Sequence, residues 1–341
     1  MISPRTYTTT MSPAWRPLLL ALVLLGLVRT SHAQQQPIYS QYMMDAFLVN
    51  PAVAGAEGVT AINLTARQQW AGFKGAPSTF VLSAQHRWLG TSFRNRSRSI
   101  KNHVRRRRPS SRNGIGGFIF NDNNGRIHRT GFQATYSYHL YVQGDMQLSF
   151  GASISAFQLK ASVTADDGAM PNDPLLAGKT SKFSPDANVG VLLSNNTFYA
   201  GLSATSLFQS SIQFGGKASP ETAYRLLRQY YLVGGYRYTP RRSDFAVEPS
   251  VLVTFTERFQ YSFDFNVKGY YRDDYWAGLS FRSSGAMVAM LGLKYQHYYF
   301  GYAFDYPMND VNSLSRFGSH ELMIGVKFGD SSRRYRWLNR F

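Results

Sequence analysis

Apolar and polar residues alternate along most of this chain, most clearly in two neighbouring stretches. Residues 132–140 and 146–154 carry an apolar side chain at every second position, with mainly Gln, Thr, Ser, His and Gly between them. A period of two is typical of a β-strand with one apolar and one polar face. The Gln-Gly-Asp turn at residues 143–145 is short enough to join the two strands. The pattern predicts an antiparallel hairpin.

The same reading along the whole chain predicts fourteen strands and therefore an all-β protein. The predicted strands are residues 59–70, 79–89, 115–122, 130–142, 145–158, 185–194, 197–205, 229–239, 245–256, 259–270, 274–283, 286–296, 298–306 and 319–328. In residues 259–268, Phe, Tyr, Phe, Phe and Val alternate with Gln, Ser, Asp, Asn and Lys.

Alternation alone does not distinguish a soluble β-sandwich from a membrane barrel. Three features favour a transmembrane antiparallel β-barrel of about 14 strands. The strands are close to the length that crosses a bilayer on a tilt, their number is even, and aromatic residues lie at their ends. The aromatic residues are Trp70, Trp88, Tyr138, Tyr141, Tyr238, Tyr270, Tyr275, Trp276 and Tyr306.

Loop lengths support the barrel, since outer-membrane barrels have short periplasmic turns and long extracellular loops. With both chain ends in the periplasm, residues 121–129, 159–184, 206–228 and 307–318 fall outside. The turns at 143–145, 194–196, 240–244, 272–274 and near His297 fall inside. One long connection, about residues 90–114, breaks the rule because it falls on the periplasmic side.

The first 33 residues have the features of a secretory signal peptide. Arg5 and Arg16 precede the apolar residues 18–28, and Ser31-His32-Ala33 offers small residues where a signal peptidase cuts. We expect export to the outer membrane, with cleavage after Ala33. The remainder divides into a pre-barrel segment at 34–57, the barrel at 58–329 with its basic insert, and a basic tail at 330–341. Segment 34–57 either fills the lumen or packs on the periplasmic rim.

The net charge of +18 would ordinarily suggest nucleic acid. The excess is local, however, because one stretch carries nine basic residues and no acid. They are Arg94, Arg96, Arg98, Lys101, Arg105, Arg106, Arg107, Arg108 and Arg112. We weigh three interpretations: a solvated charge run, docking to an acidic periplasmic partner through bidentate pairs, or binding of anionic lipid headgroups. Nucleic acid is not expected in the periplasm.

The sequence offers little for catalysis or cofactors. There is no Cys, and the six His residues beyond residue 33 do not have metal-ligand spacing. His128 near Asp122 is a common chance pairing. Asp166-Asp167-Gly168 and Asn172-Asp173 could supply calcium ligands, but such residues are normal turn formers. We therefore expect a non-enzymatic protein without a cofactor.

Several motifs resemble the PorP/SprF family, outer-membrane proteins of the type IX secretion system of Bacteroidota. The resemblance covers residues 36–328 and includes Gln-Tyr, Asn-Pro-Ala-Val-Ala-Gly and Arg-Gln-Gln-Trp-Ala-Gly-Phe-Lys-Gly-Ala-Pro blocks. The positions that carry it are Gln41, Tyr42, Asn50, Pro51, Gly55, Arg67, Trp70, Gly72, Phe73, Gly75, Ala76, Pro77, Asp173, Pro174, Ser319, His320 and Glu321. The arginine-rich insert and the basic tail depart from the usual family pattern.

The resemblance implies a component of the protein secretion and gliding machinery. Such a barrel would contact the periplasmic ring of the secretion motor and secreted or surface-anchored cargo, particularly the cargo's carboxy-terminal sorting domain. These roles come from the resemblance, because periodicity yields only the barrel. The alternative function is a passive diffusion channel, since the predicted lumen is polar and fourteen strands enclose a space that needs a pore or a plug.

Overall fold

The computed structural model describes residues 39–88, 112–125, 127–142, 146–161, 181–209, 211–212, 224–308 and 317–328. Within these ranges, no helix is long and apolar enough to cross a membrane. The predicted signal peptide, nearly all of the arginine-rich insert, the two acidic stretches considered for calcium and the basic tail lie outside the described residues.

Fourteen antiparallel strands form a closed barrel, in which β1 pairs with β16 and so completes the ring. The prediction of a barrel of about 14 strands is confirmed. The strands are β1 Thr60–Gln68, β2 Ser78–Arg87, β3 Asn113–Asn124, β4 Ile127–Tyr141, β5 Gln147–Ala161, β6 Ser181–Ser194, β7 Phe198–Thr205, β8 Ser211–Ile212, β9 Tyr224–Arg225, β10 Gln229–Tyr236, β11 Phe245–Thr256, β12 Tyr261–Tyr271, β13 Tyr275–Arg282, β14 Ala286–Tyr295, β15 Tyr298–Pro307 and β16 Ser319–Phe328. The two-residue strands β8 and β9, which the alternation did not predict, form a separate small sheet.

The strands turn their polar residues inward and their apolar residues outward. On β1, Asn63 and Arg67 are buried in the barrel, whereas Ile62 and Leu64 are exposed on its surface. The same alternation runs along β12 and β16. An apolar outer surface suits lipid, and a closed ring leaves no strand edge without a hydrogen-bonding partner.

Most of the aromatic residues that the sequence placed at strand ends are on the outer surface or at the rim, but three are not. Trp88, Tyr275 and Tyr306 are exposed, as an interfacial girdle requires.

Tyr270 and Trp276 face each other across β12 and β13 and are buried inside the barrel. Tyr141 shares the inward parity of β4, pairs with buried Gln147 and lies under the guanidinium of buried Arg87. The interpretation of these three as girdle residues is wrong, because their position in the alternation turns them toward the lumen.

The barrel has two distinguishable ends. The long-loop end carries the connections 69–77, 162–180, 206–228 and 308–318, and the short-turn end carries 142–146, 195–197, 272–274 and 296–297. Strands β3 to β6 extend further toward the long-loop end than the alternation predicted. Outside the bilayer both faces of a strand can be polar, so that part of each strand carries no period-two signal.

We expect Leu64→Arg to reduce the free energy of unfolding by about 2–4 kcal/mol, because it places a charge on the lipid-facing surface in the middle of β1. Phe73→Arg is the matched control: Phe73 is 48% exposed and Leu64 46%, but Phe73 lies in the connection 69–77. Urea unfolding of the barrel refolded in vesicles measures both effects. Equal losses in the two variants would contradict a lipid-facing Leu64.

Candidate functional site

Residues 39–59, which we call the luminal segment, lie inside the barrel. The segment contains two short 3-10 helices, Ala46–Leu48 and Pro51–Val53, and nearly all of its side chains are buried. Between the two positions that the sequence left open for this region, the lumen and the periplasmic rim, the contacts of the described part place it in the lumen.

The middle of the luminal segment packs against an apolar part of the barrel wall. Tyr42, Met43 and Phe47 join a core cluster with wall residues that include Leu252 and Trp276. The Phe47 ring also meets the ring of Phe118 edge to face, with 5.8 Å between the ring centres. Together these contacts form the larger hydrophobic cluster among the described residues, and it lies within the lumen.

The Asn-Pro-Ala-Val-Ala-Gly block explains the second 3-10 helix. The side chain of Asn50 accepts a hydrogen bond from the Ala52 amide (2.9 Å) and donates one to the Val191 carbonyl of β6 (3.1 Å). Pro51 occupies the first helical position, where no amide donor is needed. Gly55 has a φ of +67°, and a Cβ there would meet the backbone of His86. Asn50 and Pro51 therefore shape the turn, and Gly55 allows its close approach to the wall.

A group of buried charged and polar residues holds the start of the luminal segment. We call it the anchor cluster, and its members are Ser40, Arg67, Asp264, Arg282, Asp305 and Glu321. All six lie toward the long-loop end of the barrel, near the ends of β1, β12, β13, β15 and β16.

Arg67 is at the centre of the anchor cluster. Its guanidinium contacts Asp305 at 2.6 Å and Glu321 at 3.1 Å, and it donates a hydrogen bond to the hydroxyl of Ser40 at 2.6 Å. Arg282 pairs with Asp264 at 3.0 Å and lies 3.5 Å from Asp305. Buried charges need such partners, because an unpaired charge in this environment is strongly destabilising.

Glu321 binds the luminal segment directly. Its two carboxylate oxygens accept hydrogen bonds from the backbone amides of Ser40 and Gln41, each at 2.8 Å. The Gln41 side chain donates to the Glu321 carbonyl at 3.1 Å. The carboxylate is thus shared between Arg67 of the wall and the backbone of the segment, so wall and segment depend on the same charge.

A second set of contacts lies at the short-turn end. Glu57 forms an ion pair with Lys327 of β16 at 2.8 Å. The Ala56 carbonyl accepts hydrogen bonds from Arg87 and Gln147, each at 3.3 Å. The luminal segment is therefore held at both ends, with the apolar core between them.

Inward-facing glycines leave room for the segment. A Cβ at Gly151 of β5 would clash with the backbone of Pro51 and Ala52, and one at Gly190 of β6 would clash with the Asn50 side chain. A glycine at an inward strand position is a signal of close backbone approach. This signal could have located the luminal segment from the sequence.

The structure brings together several residues of the predicted motif set. Arg67 and Glu321 belong to the anchor cluster, and Gln41 contacts it through Glu321. The Tyr42 hydroxyl accepts a hydrogen bond from Asn266 at 2.6 Å. His320, next to Glu321, turns outward and pairs with the Tyr302 hydroxyl at 2.7 Å.

The remaining motif residues of the first connection lie at the long-loop rim. The amide of Trp70 donates to the Ser319 hydroxyl at 3.1 Å, and that of Ala71 to the Gly318 carbonyl at 2.8 Å. Gly72, Phe73, Gly75, Ala76 and Pro77 complete this connection. Asp173 and Pro174 lie outside the described residues, as do eight of the nine basic positions. Arg112, the ninth, donates to the Tyr138 hydroxyl at 3.3 Å.

The residues considered for chemistry have structural partners. The His128 ring bonds the Asn123 side chain, and Asp122 accepts a hydrogen bond from Thr79 at 2.7 Å. Across the part of the chain that is described, no group of three or more His, Cys, Asp or Glu residues could hold a metal ion. Sequence reasoning missed the roles of Ser40 and Glu321 in holding the segment.

Comparison with known proteins gives one family. The model of the family described as type IX secretion system membrane protein PorP/SprF matches residues 31–326. No curated protein matches the chain.

Three solved structures of membrane proteins are also similar to this chain in fold, at low sequence identity. The KdgM porin is 10% identical, with 79% of this chain and 98% of the porin covered and a TM-score of 0.36. The Acinetobacter baumannii outer membrane protein Omp33 is 10% identical, with 79% and 97% covered and a TM-score of 0.41. The CymD monoaromatic hydrocarbon channel is 11% identical, with 85% and 92% covered and a TM-score of 0.43. None of these similarities bears on function.

We expect Arg67→Ala to lower the free energy of unfolding by about 3–5 kcal/mol, because Asp305 and Glu321 stay buried without their counterion. Arg272→Ala is the control: Arg272 pairs with Asp244 at 3.0 Å, but both side chains are largely exposed, so no measurable change is expected. Urea unfolding in vesicles compares the two. Similar stability of both variants would show that the anchor cluster does not hold the structure.

We expect Gly151→Ala to cost about 1–3 kcal/mol, since its methyl group would push into the backbone of the luminal segment. Gly269→Ala is the matched control, because the nearest atom to its Cβ is 4.0 Å away and the residue faces outward from β12. Urea unfolding in vesicles compares these two variants. A neutral Gly151→Ala would place the segment away from β5.

Proposed function

Because the chain belongs to the PorP/SprF family of type IX secretion system membrane proteins, we propose that it links the periplasmic secretion motor to secreted or surface-anchored cargo. It is an outer-membrane β-barrel. In the proposed role it acts by binding, not by catalysis, as a structural component of the secretion and gliding machinery.

One observation carries this proposal beyond the family: the chain's own residues 39–59 occupy the lumen. Apolar contacts in the middle and ion pairs toward both ends hold them there. A barrel filled in this way has its two ends available for partners. Passive diffusion would need a continuous water-filled path through the same space.

The long-loop end offers a surface for cargo. Phe73 lies in the connection 69–77 and Phe317 in the connection 308–318, and both rings are largely exposed. These two connections are joined by the hydrogen bond between Ala71 and Gly318. Aromatic side chains that are exposed on loops held together by hydrogen bonds are a common feature of protein interfaces. We assign the cargo, with its carboxy-terminal sorting domain, to this end together with the connections 162–180 and 206–228.

The short-turn end carries the arginine-rich insert. The chain leaves the barrel after Arg87 and returns at Asn113, so the insert begins and ends at that side. We assign the nine basic residues a docking role toward an acidic face of the periplasmic ring, because guanidinium groups pair bidentately with carboxylates.

A passive channel is the second candidate function, and the polar wall favours it. Buried Gln133, Ser137 and Asn188 are examples of a lining that would suit hydrated solutes if the luminal segment were withdrawn. Conductance of the intact protein in planar bilayers separates the two functions, because the binding role predicts a closed lumen.

Co-purification from the native envelope tests the binding role. We expect the tagged chain to retain ring components and cargo, and a variant with the nine basic residues changed to Ser to lose the ring components only. Arg241→Ser with Arg242→Ser is the control, since these two basic residues are exposed at the same short-turn end. Mass spectrometry identifies and quantifies what each variant retains.

Two results would contradict the proposal. Recovery of the barrel without any secretion component, together with stable conductance, would favour the channel. Equal loss of ring components in the insert variant and the control would show that the insert has no specific docking role.

A further inference from the structure

Strands β3, β4 and β5 carry polar side chains on their outward face near the long-loop end. These side chains form two rows of cross-strand neighbours, which we call the outer ladder. Its members are Asn121, Thr130 and Gln158 in the lower row and Asn123, His128 and Lys160 in the upper row. Their positions in the alternation turn all six away from the lumen.

Hydrogen bonds join the outer ladder from strand to strand. The Asn121 side chain donates to the Thr130 hydroxyl at 3.0 Å. The Gln158 side chain donates to the hydroxyl of Ser181 on β6 at 2.6 Å, so the polar surface continues onto a fourth strand. The outer ladder is therefore an ordered surface on a sheet.

The inner face of the same strands is packed, which holds the outer ladder in place. Phe157, Leu159 and Leu226 form a buried apolar cluster, and Phe120 packs against it. The guanidinium of Arg129 lies 4.4 Å from the ring centre of Phe157 and 5.0 Å from that of Phe120. A surface that is fixed from behind in this way loses little conformational entropy when a ligand binds to it.

The outward residues of β4 give the level of the outer ladder relative to the bilayer. From Phe132 to Leu140 these residues are Phe, Ala, Tyr, Tyr and Leu. On a strand tilted by about 40° they span about 20 Å, which is most of the apolar band of about 25 Å in such barrels. Thr130 and His128 come next on the same face, about 5 Å and 10 Å above Phe132. This places them in the headgroup layer.

The opposite side of the barrel differs at this level. The outward residues nearest the long-loop ends of β11, β12, β13 and β14 are Phe255, Tyr261, Phe281 and Met287, and all four are exposed. These strands end where their apolar or aromatic outward face ends. The outer ladder is thus confined to the sector of β3 to β6, whose strands continue past the apolar band.

The chemistry of the outer ladder suits a phosphorylated sugar. Amide and hydroxyl groups supply both donors and acceptors for sugar hydroxyls, and a lysine ammonium binds phosphate as a point charge. Among the described outward residues of β3 to β6, none is acidic, and Lys160 is exposed. The surface is also continuous with the lipid-facing wall below it, so its neighbour in the membrane plane is the headgroup layer.

We infer that the outer ladder binds the headgroup of a phosphorylated glycolipid (lipopolysaccharide) in the outer leaflet. Lys160 contacts phosphate, and the amides and hydroxyls of the two rows contact the sugars. The inference rests on the geometry of β3 to β6 and on the orientation of outer-membrane barrels, in which long loops face outward. It does not depend on the proposed secretion role.

Photo-cross-linking in intact cells tests the contact directly. Lys160 and Lys182 are each replaced by p-benzoylphenylalanine, and the adducts are probed with an antibody to lipopolysaccharide. Lys182 is the matched control: it is also exposed, but it lies opposite Leu159 of β5 and shares the inward parity of β6. We expect a glycolipid adduct at position 160 and none at position 182. Equal adducts at both positions, a protein adduct at position 160 or no adduct there would overturn the inference.

Binding of lipopolysaccharide from the same cells to the purified full chain gives a second measurement. We expect Lys160→Gln to raise the Kd about fivefold, since it removes one basic residue at an anionic lipid surface, and Lys182→Gln to leave the Kd unchanged. Equal Kd values for the two variants would contradict the inference, as would phosphatidylglycerol bound as tightly as lipopolysaccharide. Loss of partners in the co-purification experiment would leave these results unchanged, so the inference and the proposed function fail separately.

Discussion

Buried charge inside the barrel must be paired, and this requirement joins the luminal segment to the wall. Arg67 lies in the centre of that arrangement, with Asp305 and Glu321 from the wall and Ser40 from the segment around its guanidinium. Because Glu321 also binds two backbone amides of the segment, removal of the segment would leave part of its hydrogen bonding unmet. The filled lumen is thus an integral part of the folded protein.

A filled lumen changes which parts of the molecule can act. The outer surface is apolar and faces lipid, and the inside is taken by residues 39–59. Binding partners are then restricted to the two rims, which differ in chemistry: exposed aromatic rings at one, and the start and end of a strongly basic insert at the other. This division suits a protein that connects machinery on one side of a membrane with proteins on the other.

Several predictions from the sequence hold for a clear physical reason. Alternation with a period of two is forced on any strand that separates lipid from a polar interior, so the fourteen strands could be found directly. The motif residues could also be found, but their roles could not. Arg67 and Glu321 are adjacent in space because β1 pairs with β16, and this closure joins residues 254 positions apart in the chain.

The sequence by itself determined the barrel, its strand number and which face of most strands meets lipid, because alternation, strand length and loop length are all local properties of the chain. It did not determine the position of residues 39–59, the inward orientation of Tyr270 and Trp276, or the partners of Arg67. These depend on which strands become neighbours when the ring closes and on how much space their glycines leave inside it. Only the tertiary structure decides them, since each is a contact between residues far apart in the chain.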